Sequence, residues 1–231
     1  MDKIRVLGLD ASRIGWAGVV WDGSHVEGVT GTSVAEVMTA VTRQFGTIAV
    51  LAIDIPIGLP DTTSRRADAE ARARIGKRAS SVFTTPVRAA VTAATYPAAS
   101  DANFNATGKR ISKQAYALRA KVLEVDAFVT QTTVRVVEVH PEVCFAEMNG
   151  APLPWAKKNW SGMDLRRRLL TQQGLELPAD LGRLGEVTAV DDVLDAAAAA
   201  WSAMRVALGT AYSLPDPPER FSDGIECTIW V

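Results

Sequence analysis

IRVLGLDASRIGWAGVVWDGSHVEGVTG, residues 4–31, reads as three strands in a row, and this reading decides the fold. Residues 3–10 are rich in Ile, Val and Leu and short enough for a buried strand. Gly15 and Gly18 flank Trp16, and the stretch beyond them folds back as a hairpin whose turn is Asp22-Gly23-Ser24. Val34, Val37, Met38, Val41 and Phe45 then fall at the three-and-four spacing of an amphipathic helix over 34–45, with Gly46 as its C-cap. The run IAVLAIDI, residues 48–55, is apolar without alternation, as expected of a strand covered on both faces. The order so far is β-β-β-α-β.

Pro56, Gly58 and Pro60 stop that strand. Residues 64–78 and 111–129 read as helices, and Pro86, Pro97 and the Asn103–Gly108 stretch read as loop between them. TVRVVEVH, residues 133–140, is a further strand ended by Pro141; residues 164–173 form a basic helix. The last long helix spans about 191–208, with Leu194, Ala197, Trp201, Met204 and Leu208 on one stripe and an alanine run suited to close packing on a sheet. The tail DPPERFSDGIECTIWV begins as a Pro-rich turn and ends in a short apolar strand. The fold expected is α/β: a mixed sheet built from a β-β-β-α-β-α-β-α core, flanked by helices. One domain over 1–231 carries a basic, mainly helical insertion at 61–130.

With 48% apolar and 22% charged residues and a net charge of -1, the composition is that of an ordinary globular chain. Acids interrupt every apolar stretch before it reaches the roughly 20 residues of a membrane span. The start shows no charged, apolar and cleavage regions of a secretory signal, and a cytoplasmic location is expected. Cys144 and Cys227 are too few for a disulfide framework or a Cys-type zinc site and read as buried filler. The near-zero charge conceals an asymmetry: residues 61–121 hold 12 Lys and Arg against 4 Asp and Glu, so the remainder is acidic. A basic segment attracts phosphates, although a solvated helix face would show the same charges.

Asp10 ends the first strand and Asp54 the fourth, while Asp192 and Asp195 open the last helix. Parallel strand ends side by side would place Asp10 and Asp54 in one crevice, since sites in α/β sheets lie beyond the carboxyl ends of strands. Asp192 and Asp195, three apart, are neighbours on one helix surface and flank its apolar stripe, which directs them toward those ends. Asp191 is expected as the helix N-cap. Gathered carboxylates repel, and a hard divalent cation, Mg²⁺ or Mn²⁺, reverses that cost. Two ions roughly 4 Å apart would suit phosphodiester hydrolysis, with the four acids as metal ligands. Each acid also has a local alternative: a turn closed by Asp10, a loop capped by Asp54, a helix start complemented by Asp192 and Asp195.

Glu138, His140 and Glu142 alternate along VEVHPE and would share a strand face if the chain stays extended, offering a general base or further ligands; a structural histidine is the alternative. Arg72, Arg78 and Arg88, with Ser80 and Ser81, form a candidate anion site. Lys157 and Lys158, between Trp155 and Trp160, are candidates for following a single strand by charge and stacking. GKRASS is no P-loop, because Ala71 stands where the first glycine belongs and Arg78 where Ser or Thr belongs. Neither a GxGxxG fingerprint nor a GxSxG elbow occurs.

GLDASRIGW at 8–16, AIDIPIGLP at 52–60, RIGKRASSVFTTPVR at 74–88, VEVHPEVCF at 137–145 and DDVLDAAAAAW at 191–201 together resemble the ribonuclease H-like superfamily, and within it the DUF429 family of predicted RNase H-like nucleases. DVLDAAAAA also resembles the last-helix acids of Holliday-junction resolvases in that superfamily. The resemblance implies the fold and implies Asp10, Asp54, Asp192 and Asp195 as metal ligands. The function expected is Mg²⁺- or Mn²⁺-dependent cleavage of nucleic acid or another phosphate-containing substrate. A phosphotransferase or nucleotide-binding enzyme of the same fold, or a silent nucleic-acid-binding module, are the alternatives.

Overall fold

The computed structural model describes residues 3–231. Three strands, β1 (Val6–Ser12), β2 (Gly15–Trp21) and β3 (Val26–Gly31), lead into helix α1 (Val34–Phe45) and strand β4 (Val50–Ile53). The segment before the next strand is helical: α2 (Arg66–Ile75), a 3-10 turn over Gly76–Ser81, α3 (Arg88–Thr92), α4 (Tyr96–Thr107), α5 (Lys113–Ala117) and α6 (Arg119–Gln131). Then come β5 (Arg135–Glu138), α7 (Pro141–Asn149), α8 (Trp160–Gln172), α9 (Arg183–Val187), α10 (Val190–Leu208), β6 (Ser213–Arg220) and β7 (Glu226–Trp230). The strands form one mixed seven-stranded sheet in the order β3-β2-β1-β4-β5-β7-β6. β1, β4, β5 and β7 run parallel, and the hairpin strands β2 and β3 and the edge strand β6 run against their neighbours.

The sequence anticipates the first five elements, including Gly46, which caps α1 at a φ of 82°. Three expectations fail. Asn103 lies in α4 rather than in a loop: Thr95 caps that helix, Pro97 sits in its first turn, where a missing N–H costs nothing, and Gly108 ends it. The Asn103 side chain is buried, accepting from the Val87 N–H at 2.9 Å and donating to the Lys109 carbonyl at 2.7 Å. Pro141 does not merely end a strand but opens α7. The Pro-rich SLPDPPER forms β6, a place at the sheet edge where a strand can do without some ladder donors.

Alternation of side chains across the sheet fixes what each face sees. Val6, Val50, Ala52 and Val137 pack with the α10 alanines and with Leu169 and Leu170 of α8. Leu7, Leu9, Leu51 and Ile53 pack on the other face with residues of α1 and α6, among them Val37, Val41, Val122 and Val125. Gly8 falls on the α10 face, where a Cβ would overlap the backbone N of Ala200 and O of Ala196 and stand 2.8 Å from the Ala199 carbonyl carbon. The fully buried alanines 196–200 complete the fit, so the helix backbone rests directly on β1. This close approach positions the site: the residue before the alanine run is Asp195, and the residue two beyond Gly8 on the same face is Asp10. Among the described residues no helix is long and apolar enough to cross a membrane.

Candidate active site at the strand ends

β1 and β4 are parallel neighbours with Leu9 opposite Ile53, and the Asp54 N–H donates to the Leu9 carbonyl at 3.0 Å. Asp10 and Asp54 therefore leave adjacent strand ends, each two residues past an α10-facing position, Gly8 and Ala52. The first two turns of α10 add Asp192 and Asp195. Asp191, expected as the N-cap, is inside the helix; Ala189 holds the cap position and supplies no side-chain bond. Asp191 instead faces Lys157 Nζ at 3.6 Å and Lys158 Nζ at 4.0 Å.

Asp10 and Asp195 are almost fully enclosed, at 7% and 3% exposure. Burial, then the charges of Asp54 and Asp195, push the Asp10 carboxyl well above its ordinary range. Burial lifts Asp54 to about 7 against the pull of Lys157, with Glu142 adding to the rise. Asp195 is lifted to about 6 by burial, although Lys157 Nζ lies 2.5 Å from its Oδ2. Asp192 is raised by burial and by Asp191. The cause is common to all four: carboxylates desolvated together with too little positive charge among them. Among the described residues no group of three or more His, Cys, Asp or Glu side chains is set in a geometry that could hold a metal ion. The ammonium of Lys157 stands among the acids instead.

Two cavities open onto this cluster. One, of about 280 Å³, is lined by Asp10, Asp54, Asp192, Arg65, Asp68 and Glu138; the other, of about 390 Å³, by Asp54, Asp195, Glu142, Arg78, Ser80 and Lys158. Asp54, Ser81, His140 and Lys157 line both. A larger cavity, about 930 Å³, lies elsewhere between α8, α9 and α10; it is mostly apolar, with the exposed Trp160 at its wall and none of the four aspartates.

Glu138, His140 and Glu142 do not share a strand face. β5 ends at Glu138, whose register partner on β4 is Ile53, so Glu138 points away from the α10 face. There both its oxygens are taken by Arg65, at 2.6 and 2.7 Å, and Oε2 also accepts the Ile57 N–H at 2.7 Å. Arg65 further holds Asp68 Oδ1, at 3.0 Å from Nε and 2.7 Å from Nη2. Glu142 is in the first turn of α7, with Oε1 paired to the fully buried Arg166 and Oε2 buried without a partner. His140 approaches the Ser81 carbonyl through Nε2 at 3.4 Å, its Nδ1 has no partner, and burial lowers its pKa, favouring neutral imidazole.

The expected anion site comes only partly together. Arg78, Ser80 and Ser81 line the cleft, with Arg78 Nε donating to the Leu153 carbonyl at 3.3 Å. Arg72 is fastened to the Val82 carbonyl and Thr84 Oγ1, both at 2.9 Å, and Arg88 to Asp126 at 2.8 Å and Asp223 at 2.6 Å; neither lines these cavities. Both arginines are committed to structure because acceptors from distant segments meet them, which spacing along the chain does not reveal. The residues the sequence left unnoticed are Arg65, Asp68 and Arg166, which carry no periodic or motif signal. A buried arginine shows only once its carboxylate partners are in place.

No curated protein sequence and no solved structure matches the chain. Residues 8–220 match the family model described as DUF429, a protein family of unknown function, and the span includes all four aspartates and Lys157. The chain belongs to the DUF429 family.

Proposed function

We propose that the protein is a ribonuclease H-like phosphodiesterase that acts on nucleic acid with Mg²⁺ or Mn²⁺ drawn to the cluster of Asp10, Asp54, Asp192 and Asp195, one or two of whose carboxylates would hold each ion. The sheet supports this reading through the run β3-β2-β1-β4-β5, an antiparallel hairpin followed by parallel strands. The observation that carries it is the meeting of Asp10, Asp54 and Asp195 at two parallel strand ends and one helix start, with Asp10 and Asp195 buried, Asp54 half-buried and little positive charge among them.

The donor set fits a hard divalent ion. Carboxylate oxygens are its preferred ligands, and Mg²⁺ is commonly held by one or two of them, with waters and substrate phosphates completing the shell, so a closed protein cage is not required. When bound, such an ion supplies charge neutralisation at the phosphate and activation of water. The chain's own residues account for the rest. Asp10 and Asp54 fix the position along the strand ends, and Asp192 and Asp195 face them from α10. Arg78, Ser80, Ser81 and Lys158 line the 390 Å³ cavity with donors for phosphate oxygens. Glu142, which lines that cavity and has Oε2 without a partner while Arg166 holds Oε1, would serve as the general base.

Labelled DNA and RNA strands incubated with Mg²⁺ or Mn²⁺ should be cut by the native protein and not by Asp10→Asn, and chelation should abolish the cutting. Equal cleavage by both proteins would remove Asp10 from the site. The cavity sizes, about 280 and 390 Å³, also favour a second reading in which the phosphate ester is a single nucleotide. Turnover of nucleotides with intact oligonucleotides would establish it.

A further inference from the structure

We propose that Lys157 is an exchangeable counter-ion: its ammonium balances the aspartates while no divalent cation is bound, and it passes to a substrate phosphate oxygen when a cation takes its place. The inference rests on the metal-dependent reading above. Lys157 lies on the connection between α7 and α8, and Nζ reaches Asp195 Oδ2 at 2.5 Å and Asp191 Oδ2 at 3.6 Å. Asp195 is deeply enclosed, whereas the lysine side chain is 35% exposed, so the pair joins a fixed acid to a base with room to move. Lys157 also lines both cavities and thus stands between the aspartates and the Ser80–Ser81 wall.

Repulsion between like charges makes the two cations alternatives. An ammonium and a divalent cation a few Å apart repel strongly in a partly enclosed site, so both cannot neutralise Asp195 at once. The backbone of the connection is secured independently of the lysine: Arg78 donates to the Leu153 carbonyl at 3.3 Å, Arg166 to the Trp155 carbonyl at 3.3 Å, and Asn159 caps α8 through the Gly162 N–H at 2.7 Å. Exchange therefore requires only rotation of a flexible four-carbon side chain, with no movement of the fold. In the 390 Å³ cavity a phosphate beside Arg78 and Ser80 would offer the ammonium new oxygen acceptors. Cation and phosphate then assist each other: the cation frees the lysine, and the phosphate draws it off Asp195. By linkage, each raises the other's affinity by the same factor.

The test is Mn²⁺ affinity, followed by electron paramagnetic resonance with and without inorganic phosphate, for the native protein, Lys157→Met, Lys157→Arg and Asp10→Asn. Native protein should bind Mn²⁺ more tightly with phosphate present. Lys157→Met should bind Mn²⁺ about tenfold more tightly than native without phosphate and lose most of the response to it. Lys157→Arg, which keeps the charge, should bind Mn²⁺ no more tightly than native. Circular dichroism checks that each variant is folded. If native protein binds Mn²⁺, Asp10→Asn does not, and Lys157→Met matches native in affinity and phosphate response, the exchange is refuted while the metal site stands. If neither native protein nor Lys157→Met binds Mn²⁺, the metal reading and the exchange fall together.

Discussion

Two groups of acids meet at the strand-end cleft, where Asp10, Asp54, Asp192, Asp68 and Glu138 line the 280 Å³ cavity and Asp195 the 390 Å³ one, and they are treated in opposite ways. On one side, Asp68 and Glu138 are closed around Arg65, and all four of their carboxylate oxygens accept hydrogen bonds: Glu138 from Arg65 and Ile57, Asp68 from Arg65 and Thr85. On the other, Asp10, Asp54, Asp192 and Asp195 share the single ammonium of Lys157, which is bonded to Asp195 alone among the four. Burial costs both groups desolvation; a fixed guanidinium fork offsets part of it for the first, where burial still holds the Glu138 carboxyl above its ordinary range, whereas the second has no such fork and its Asp54 is lifted to about 7. The contrast separates acids whose oxygens are all hydrogen-bonded within the fold from acids that, in the proposed reading, a cation would neutralise.

The sharpest way to break the contrast is to remove the silencing cation. Arg65→Met leaves two buried carboxylates without their principal donor and should lower unfolding free energy by about 3–5 kcal/mol in urea. Asp10→Asn, in the same metal-free assay, should leave stability unchanged or raise it, because it removes a like charge rather than a partner. A loss below about 1 kcal/mol for Arg65→Met would mean that the two acid groups are not different in kind.

A somewhat smaller effect is expected from the backbone that brings the acids together. Gly8→Ala sets a methyl group against the Ala196 and Ala200 backbone, and rigid main chain cannot give way as a side-chain tip can. About 3 kcal/mol of destabilisation is expected, measured by thermal or urea unfolding. Crystals of the folded fraction should show α10 displaced from β1, with Asp195 farther from Asp10. An unmoved helix would show that the spacing of the aspartates is not set at Gly8.

These two regions also differ in how far the sequence reveals them. Asp10, Asp54, Asp192 and Asp195 were legible because each sits at the end of a strongly patterned element, and patterned elements in an α/β order leave few ways to assemble. The Arg65 group was not legible: Glu138 looked like a companion of Glu142 because alternation was carried past Pro141, where the chain turns into α7. Arg88 and Arg72 looked free because their partners, Asp126, Asp223 and the Val82 carbonyl, come from segments whose approach is a tertiary fact. Lys157 stood out as a basic residue beside tryptophans, and only the fold brings it to the acids. Local pattern thus reports where charge emerges from an element, and folding decides which charges meet.

The subtlest expected effect is the pH dependence of the deficit itself. In the folded protein the Asp54 carboxyl titrates at about 7, against an ordinary value of 3.8. Between those values the folded state keeps a proton that the unfolded state has lost, so stability falls as pH rises through the window and the penalty is complete above 7. Asp195, lifted to about 6, adds to the same slope at its lower end. His140 runs the other way, because its lowered value makes the unfolded state the better proton binder near its ordinary 6.5. Lys157, raised by its acid neighbours, supplies stability that fades only above its ordinary 10.5, outside this range. The difference between native protein and Asp54→Asn isolates the one carboxyl. In chelator the two should be nearly equal at about pH 4, where Asp54 is mostly protonated and its amide replacement is close in shape. By about pH 7.5 the variant should be the more stable by about 2 kcal/mol, less than an isolated group would give because Asp10 and Asp195 share the same protons. A constant difference across that range would show that Asp54 does not carry the missing charge.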